Sequence, residues 1–66
     1  MSLGKKVKQL RIKKGMNQKE LAEASEITQA TISRIESEQV KELKSEALKR
    51  LAMALGTSMD FLGGKI

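Results

Sequence analysis

The stretch from Gln18 to Ile35 constrains the fold more than any other part of the sequence, because its apolar residues fit two short helices that meet at a tight corner. We predict helices over 18–25 and 29–36. Ala22 falls where the two helices would cross most closely, and its small side chain allows their backbones to approach. The inward-facing residues would form one contiguous apolar cluster across the corner. They are Leu21, Ala22, Ile27, Ile32 and Ile35.

The second of these helices would carry a polar outer face. That face consists of Gln29, Ala30, Ser33 and Arg34. Gln can make paired hydrogen bonds to adenine and Arg to guanine, each pair being worth about 1–3 kcal/mol of discrimination between bases. An αα corner with such a face is the helix-turn-helix, whose second helix can enter a DNA major groove. Spacing alone leaves an ordinary helical hairpin with a polar outer face equally open.

The composition excludes several classes of function. With 66 residues the chain makes one domain at most, and we predict a single helix-turn-helix domain over 1–66, with the motif at 18–36. The absence of Cys and His removes disulfides, thiolate metal sites and the commonest general base. We therefore predict no metal, no cofactor, no small-molecule ligand and no enzymatic activity. Apolar runs are too short for a membrane span or a signal peptide, which predicts a cytoplasmic protein.

The net charge of +5 is unevenly distributed along the chain. Residues 1–14 carry six basic side chains and no acidic one, whereas residues 15–40 carry two basic against five acidic side chains, a net of −3. Residues 41–66 carry five basic against three acidic side chains. Electrostatic attraction to DNA phosphates would therefore come from the flanks of the corner. A solvated basic helix without a partner fits the charge equally well.

Apolar spacing predicts three further helices. The first covers Leu3–Lys14, and Gly15 ends it in a left-handed conformation that costs glycine little. The others cover Ser45–Leu55 and Met59–Leu62. The predicted N-terminal caps are Ser2, Asn17 with Glu20 as a capping box, and Thr28.

Nearly the whole chain resembles the Cro/cI-repressor (Xre) type of helix-turn-helix. The resemblance rests on NQKELAEASEITQATISRIE, followed later by LKRLAMALGTSMDFL. The pattern before the corner is Leu10-Arg11, then Gly15-Met16-Asn17-Gln18, then Glu20-Leu21-Ala22. The resemblance implies a compact all-α five-helix bundle of the lambda-repressor-like kind. It also implies a sequence-specific transcriptional regulator, a repressor that binds double-stranded DNA at an inverted-repeat operator as a homodimer.

The resemblance also assigns roles to individual residues. The base-contacting positions are Gln29, Ala30, Ser33 and Arg34, and the phosphate-contacting positions are Arg11, Asn17, Gln18, Thr28, Thr31, Ser37 and Lys41. Gln18 would in addition brace Gln29. Arg11 and Glu36 would form a partly buried structural ion pair. Phe61 and Ile66 are candidates for the dimer contact, with an ordinary core position as the alternative for Phe61.

The sequence departs from this family pattern in two places. Glu26 stands before Ile27, where relatives usually have a left-handed Gly, so we expect a strained or locally different corner. The segment from Ser37 to Ser45 has Glu38 where relatives commonly have Gly, and it contains no Pro. We predict that this segment continues the preceding helix or adds a helical turn.

Two other functions remain open from the sequence. A protein-interaction module, as in antitoxins, would use the helical surface with weak or no specific DNA binding. A basic amphipathic helix on a membrane surface would draw only on residues 3–14, and the resemblance along the rest of the chain speaks against it.

Overall fold

A computed structural model describes residues 2–63. It contains the helices α1 (Leu3–Lys13), α2 (Gln18–Ser25), α3 (Gln29–Glu36), α4 (Ser45–Leu55) and α5 (Met59–Gly63). The predicted all-α five-helix fold is confirmed. The α1 helix ends one residue before the predicted Lys14, which caps it, and α5 extends one residue further, to Gly63. No helix in residues 2–63 is long and apolar enough to cross a bilayer.

Side-chain caps determine where most of the helices begin. Each cap accepts a backbone N–H from the residue three positions later: Ser2 from Lys5 (3.2 Å), Asn17 from Glu20 (2.7 Å), Thr28 from Thr31 (3.2 Å) and Ser58 from Phe61 (3.0 Å). The Asn17 N–H in turn donates to the Glu20 carboxylate at 2.8 Å, which completes the predicted capping box. Lys44, before α4, makes no such bond.

Each of the helices α1 to α4 is followed, within two residues, by a residue with left-handed backbone. These residues are Gly15 (φ 73°), Glu26 (φ 60°), Glu38 (φ 68°) and Gly56 (φ 68°). After each of them the next backbone N–H turns back to a carbonyl in the last turn of the helix, as in a Schellman motif. Two of these positions therefore hold Glu where glycine would be less strained.

The segment between α3 and α4 does not continue the helix, so that prediction was wrong. Glu38 takes the left-handed conformation, and the Gln39 and Val40 N–H groups both donate to the Arg34 carbonyl oxygen, at 2.9 and 3.2 Å. These bonds satisfy the free carbonyl at the end of α3 and stop the helix. The chain then crosses to α4 without regular structure, with Val40 and Leu43 packed against the core.

The core lies between the helices and confirms the predicted apolar cluster. Its buried members are Val7, Leu21, Ile32, Ile35, Leu51, Ala52, Leu55 and Leu62. Ala22 and Ile27 are partly buried and pack against this core at the corner. Because α3 contributes two fully buried isoleucines, its orientation depends on the packing of α1 and α2 against it.

A glycine on α1 allows the close approach of α1 to the end of α3. Gly4 is buried, and a Cβ built there would overlap the Ile35 carbonyl oxygen and lie 3.3 Å from the Glu36 Cα. The α1 backbone can therefore reach the last turn of α3 only because position 4 lacks a side chain. The apolar spacing of α1 did not indicate this contact.

Phe61 lies on the surface, with 48% of its area exposed, so the alternative of an ordinary core position was wrong. The Lys6 ammonium donates a hydrogen bond to the Phe61 carbonyl oxygen at 2.8 Å and lies 5.2 Å from the centre of its ring. Lys6 therefore joins α1 to α5 through a hydrogen bond and a cation–π contact. Ile66, the other predicted dimer contact, lies outside the described residues.

Candidate nucleic-acid interface

The α3 helix presents the predicted base-contacting residues to solvent. Ile32 and Ile35 are fully buried on its inner side, and the helical period of 3.6 residues turns the intervening positions outward. The exposed positions are Gln29, Ala30, Ser33 and Arg34. These residues lie together on one short helix whose inner face is buried in the core, so their backbone positions on the surface are fixed.

Backbone and side-chain hydrogen bonds define the corner between α2 and α3. Glu26 has the left-handed conformation that the family pattern predicts for this position, and the Ile27 N–H returns to the Ala22 carbonyl oxygen at 3.2 Å. Ser25 is 2% exposed, and its hydroxyl donates to the Leu21 carbonyl oxygen at 2.7 Å. Sequence reasoning missed Ser25, because a serine in a polar stretch carries no signal of burial.

Two threonine hydroxyls meet at the start of α3. The Thr28 side chain caps the helix by accepting the Thr31 N–H, and its hydroxyl donates to the Thr31 hydroxyl oxygen at 2.9 Å. Thr28 is exposed and Thr31 half-buried. The arrangement fixes the first turn of α3 and leaves both oxygens at the surface of the corner.

Arg11 and Glu36 form a bidentate ion pair between α1 and α3. The Arg11 Nε lies 2.7 Å from one carboxylate oxygen and Nη2 lies 3.0 Å from the other. Nη1 donates to the Met16 carbonyl oxygen at 2.8 Å. The side chains are only 12% and 5% exposed. These internal bonds occupy each guanidinium nitrogen, as a structural role requires.

The ion pair raises the pKa of Arg11. The hydrogen bond to Glu36 is the largest cause; burial opposes it, and the Coulombic attraction of Glu36 adds to it. Because the folded-state pKa lies above the unfolded one, the stabilisation is complete below the ordinary guanidinium pKa. It is lost only as pH rises through the raised value. This group therefore adds no pH dependence to stability near neutrality.

Gln18, the first residue of α2, joins the same carboxylate. Its Nε2 donates to the Glu36 oxygen Oε1 at 3.2 Å, the oxygen that also accepts from Arg11 Nη2. The predicted bracing of Gln29 is absent from the hydrogen bonds of residues 2–63, and Glu36 takes that place. One buried carboxylate thus connects the end of α3 with α1 and with the start of α2.

The remaining predicted phosphate-contacting residues lie at the helix ends. Asn17 is exposed but uses its side-chain oxygen to cap α2. Ser37 is exposed, and its hydroxyl donates to the Arg34 carbonyl oxygen at 3.2 Å. Lys41 is exposed beyond the end of α3, where it lines a groove together with Leu3 and Met59.

The exposed charged side chains of α1 are all basic, whereas those of α2 and its end are mostly acidic. The exposed acidic side chains Glu20, Glu23 and Glu26 lie on α2 and at its end, whereas the exposed bases Lys5, Lys8 and Lys13 lie on α1. Lys6 is half-buried against Phe61 and is therefore less available for a contact to DNA.

Within residues 2–63, no three His, Cys, Asp or Glu side chains are arranged to hold a metal ion.

A family model described as helix-turn-helix matches residues 7–62. The chain is also similar to three solved structures of SinR, with 28% identity over 91% of its length in each case. The crystal structure of SinR, the master regulator for biofilm formation, in complex with DNA matches with a TM-score of 0.87 over 95% of that chain. The N-terminal DNA binding domain of SinR from Bacillus subtilis matches with a TM-score of 0.86 over 87% of its length. The match to the SinR–SinI complex has a TM-score of 0.86 and covers 58% of that chain.

Proposed function

The chain belongs to the Cro/C1-type helix-turn-helix family and is a sequence-specific DNA-binding transcriptional regulator, and we propose that it represses transcription by binding an inverted-repeat operator as a homodimer. In this proposal α3 lies in the DNA major groove. The N-terminal turns of α2 and α3 face the phosphate backbone on either side of it.

The proposal rests mainly on the row of exposed, mostly polar residues on α3, which lies on the side opposite its buried isoleucines. Gln29 and Arg34 are exposed, and their side chains are of the types that read adenine and guanine by paired hydrogen bonds. Ala30 and Ser33 lie between them and would make apolar or single polar contacts. Because the inner face of α3 is fully buried, the row would meet the bases as a rigid unit with little loss of backbone freedom.

The proposed phosphate contacts lie at the ends of the helices. Thr28, Thr31 and Gln18 lie in the first turns of α3 and α2, where free backbone N–H groups favour anions. Asn17, Ser37 and Lys41 would extend these contacts to either side. Arg11 would act on the phosphates only indirectly, since its guanidinium already binds Glu36 and Met16. The similarity to SinR, which has been solved in complex with DNA, supports this arrangement.

The small size of the base-reading face is the reason to expect a dimer. Arg34 is the one cationic side chain among its four positions, so a single domain would bind with modest affinity. Two copies related by a two-fold axis would place their α3 helices about 34 Å apart, one turn of B-DNA. The exposed Phe61 side chain on α5 is our candidate for the dimer contact.

Selection of binding sites from a random duplex DNA pool tests the proposal. We would run it at about 100 mM salt and again at higher salt, since phosphate contacts make binding salt-dependent. Enrichment of a short inverted repeat would support a dimeric reader. Salt-sensitive binding without a motif would contradict sequence reading, and enrichment of a single half-site would contradict the dimer.

A second candidate function is a protein-interaction module of the antitoxin kind. It is favoured by a groove of about 470 Å³ with a mixed lining, in which Leu3, Leu43 and Leu48 lie beside charged side chains such as Lys41 and Glu42. The net negative charge of residues 15–40 also favours it. A lack of salt-sensitive binding to any duplex would favour this candidate over the first. We propose no catalytic activity, because proteins of this family are typically non-enzymatic, and we place the protein in the cytoplasm, where its DNA target would lie.

A further inference from the structure

We propose that Glu36 is a positioning residue for DNA binding: it holds the Gln18 amide in place for a phosphate contact and connects that contact to the end of the base-reading helix. The inference rests on the proposed function, because it concerns how the same interface is organised. Glu36 would not touch DNA itself.

The geometry shows how Glu36 could hold Gln18. The Glu36 carboxylate is almost fully buried and is oriented by two hydrogen bonds from Arg11, at 2.7 and 3.0 Å. Its Oε1 accepts the Gln18 Nε2–H at 3.2 Å. A carboxylate with fixed orientation can in turn fix the rotamer of the Gln18 side chain, whose rotatable bonds would otherwise be ordered only on binding, at a cost in entropy.

The bond to Glu36 leaves part of the Gln18 amide for another ligand. An amide nitrogen carries two protons and the amide oxygen is an acceptor. Within residues 2–63 only one Nε2 bond is formed, and no buried side-chain nitrogen or oxygen there lacks a partner. The Gln18 carbonyl oxygen is therefore not buried, and the second Nε2–H has no hydrogen-bond partner within residues 2–63. The N–H can donate to a phosphate oxygen.

The charge balance at the site is compatible with a nearby phosphate. An unpaired carboxylate close to DNA would be repelled by the negatively charged phosphates. Arg11 pairs with this carboxylate bidentately, so the pair as a whole is neutral. Since Glu36 is the last residue of α3 and Gln18 the first of α2, the bond also sets the distance between the phosphate contact and the base-reading face.

The test compares two double variants that differ only at position 36, where one keeps a hydrogen-bond acceptor and the other does not. Arg11→Met with Glu36→Gln retains an amide oxygen for Gln18, whereas Arg11→Met with Glu36→Leu removes it. Both replace the buried ion pair by neutral residues, an exchange that is often neutral or stabilising. In each background, and in the unchanged protein, we would measure how much Gln18→Ala weakens binding to the duplex selected from the random pool.

We call the two double variants the Gln background (Glu36→Gln) and the Leu background (Glu36→Leu). In the unchanged protein and in the Gln background, we expect Gln18→Ala to weaken binding about threefold to tenfold for each bound monomer, as for the loss of one hydrogen bond. In the Leu background we expect less than about a twofold loss, because the unpositioned side chain contributes little. Gln29→Ala is the matched control and should weaken binding equally in all three backgrounds. Glu36→Asp keeps the charge but shortens the side chain, and it should also reduce the effect of Gln18→Ala.

Several outcomes would overturn the proposal. Equal effects of Gln18→Ala in the Gln and Leu backgrounds would show that the acceptor is irrelevant. No effect in the unchanged protein would show that Gln18 makes no DNA contact to be positioned. A diminished effect of Gln29→Ala in the Leu background would mean that α3 has moved as a whole. Failure of the unchanged protein to bind any duplex would instead overturn the proposed function, and it is detected without any variant.

Discussion

Glu26 and Glu38 hold equivalent positions at the ends of consecutive helices, each with left-handed backbone, at φ of 60° and 68°. Both follow the last turn of their helix and precede a residue whose N–H returns to that turn. A residue with a Cβ is strained in this conformation by roughly 1–2 kcal/mol, whereas glycine is not. The corner of the helix-turn-helix and the C-terminal end of α3 are therefore both formed at a cost to stability.

We expect Glu26→Gly to raise the free energy of unfolding by about 1 kcal/mol, because relief of the strain exceeds the extra entropy of glycine in the unfolded chain. For a domain of this size the midpoint of thermal unfolding should rise by about 4–8 °C. Calorimetry of the variant against Glu26→Ala, which keeps the strain, would check this. An equal gain in the alanine variant would trace the effect to the lost charge.

Glu38→Gly should stabilise the protein by a similar amount, about 1 kcal/mol, for the same reason. Here the prediction rests on the structure, since the sequence favoured a continued helix at this position. Urea unfolding of Glu38→Gly and Glu38→Ala would measure it. A destabilised glycine variant would mean that the α3 end is not left-handed in solution.

Glu36→Ala should lower the free energy of unfolding by about 3–5 kcal/mol, because it leaves the Arg11 charge buried without a partner. The matched control is Glu46→Ala, which breaks an exposed pair with Arg50 at 3.2 Å and should change stability by less than about 1 kcal/mol. Chemical denaturation of both variants would compare them. Similar losses would contradict a structural role for the buried pair.

Gly4→Ala should destabilise the protein by about 1–3 kcal/mol, although alanine is the better helix former. The added Cβ would overlap the Ile35 carbonyl oxygen, which belongs to a backbone that cannot rotate away, so α1 would have to shift. Gln9→Ala, at an exposed position of the same helix, is the control and should have little effect. A Gly4→Ala variant as stable as the unchanged protein would show that α1 packs less closely on α3.

Arg34→Ala should weaken binding to the selected operator by about 1–3 kcal/mol and relax the preference at one base pair. Lys8→Ala should weaken binding to all duplexes alike and make the salt dependence shallower, as for a phosphate contact. Titrations with the operator and a scrambled duplex at several salt concentrations would separate the two. Equal losses on both duplexes for Arg34→Ala would remove its base-reading role.

Much of the fold could be predicted because its signals are local. The caps at Ser2, Asn17 and Thr28 bond to residues three positions away, so the residue type and its offset are enough to place a helix start. The buried Leu21, Ile32 and Ile35 repeat with the period of a helix. The corner conformation at Glu26 followed from the family pattern, as did the pairing of Arg11 with Glu36.

The sequence by itself therefore determined the helices, their inner faces and the exposed row on α3, since each depends on neighbours within one or two turns. Only the tertiary structure decided how the helices meet. The Gln18–Glu36 and Lys6–Phe61 bonds join residues 18 and 55 positions apart, and Gly4 matters because of a backbone oxygen on another helix. Such contacts depend on the crossing of packed helices, which residue spacing along one helix does not encode.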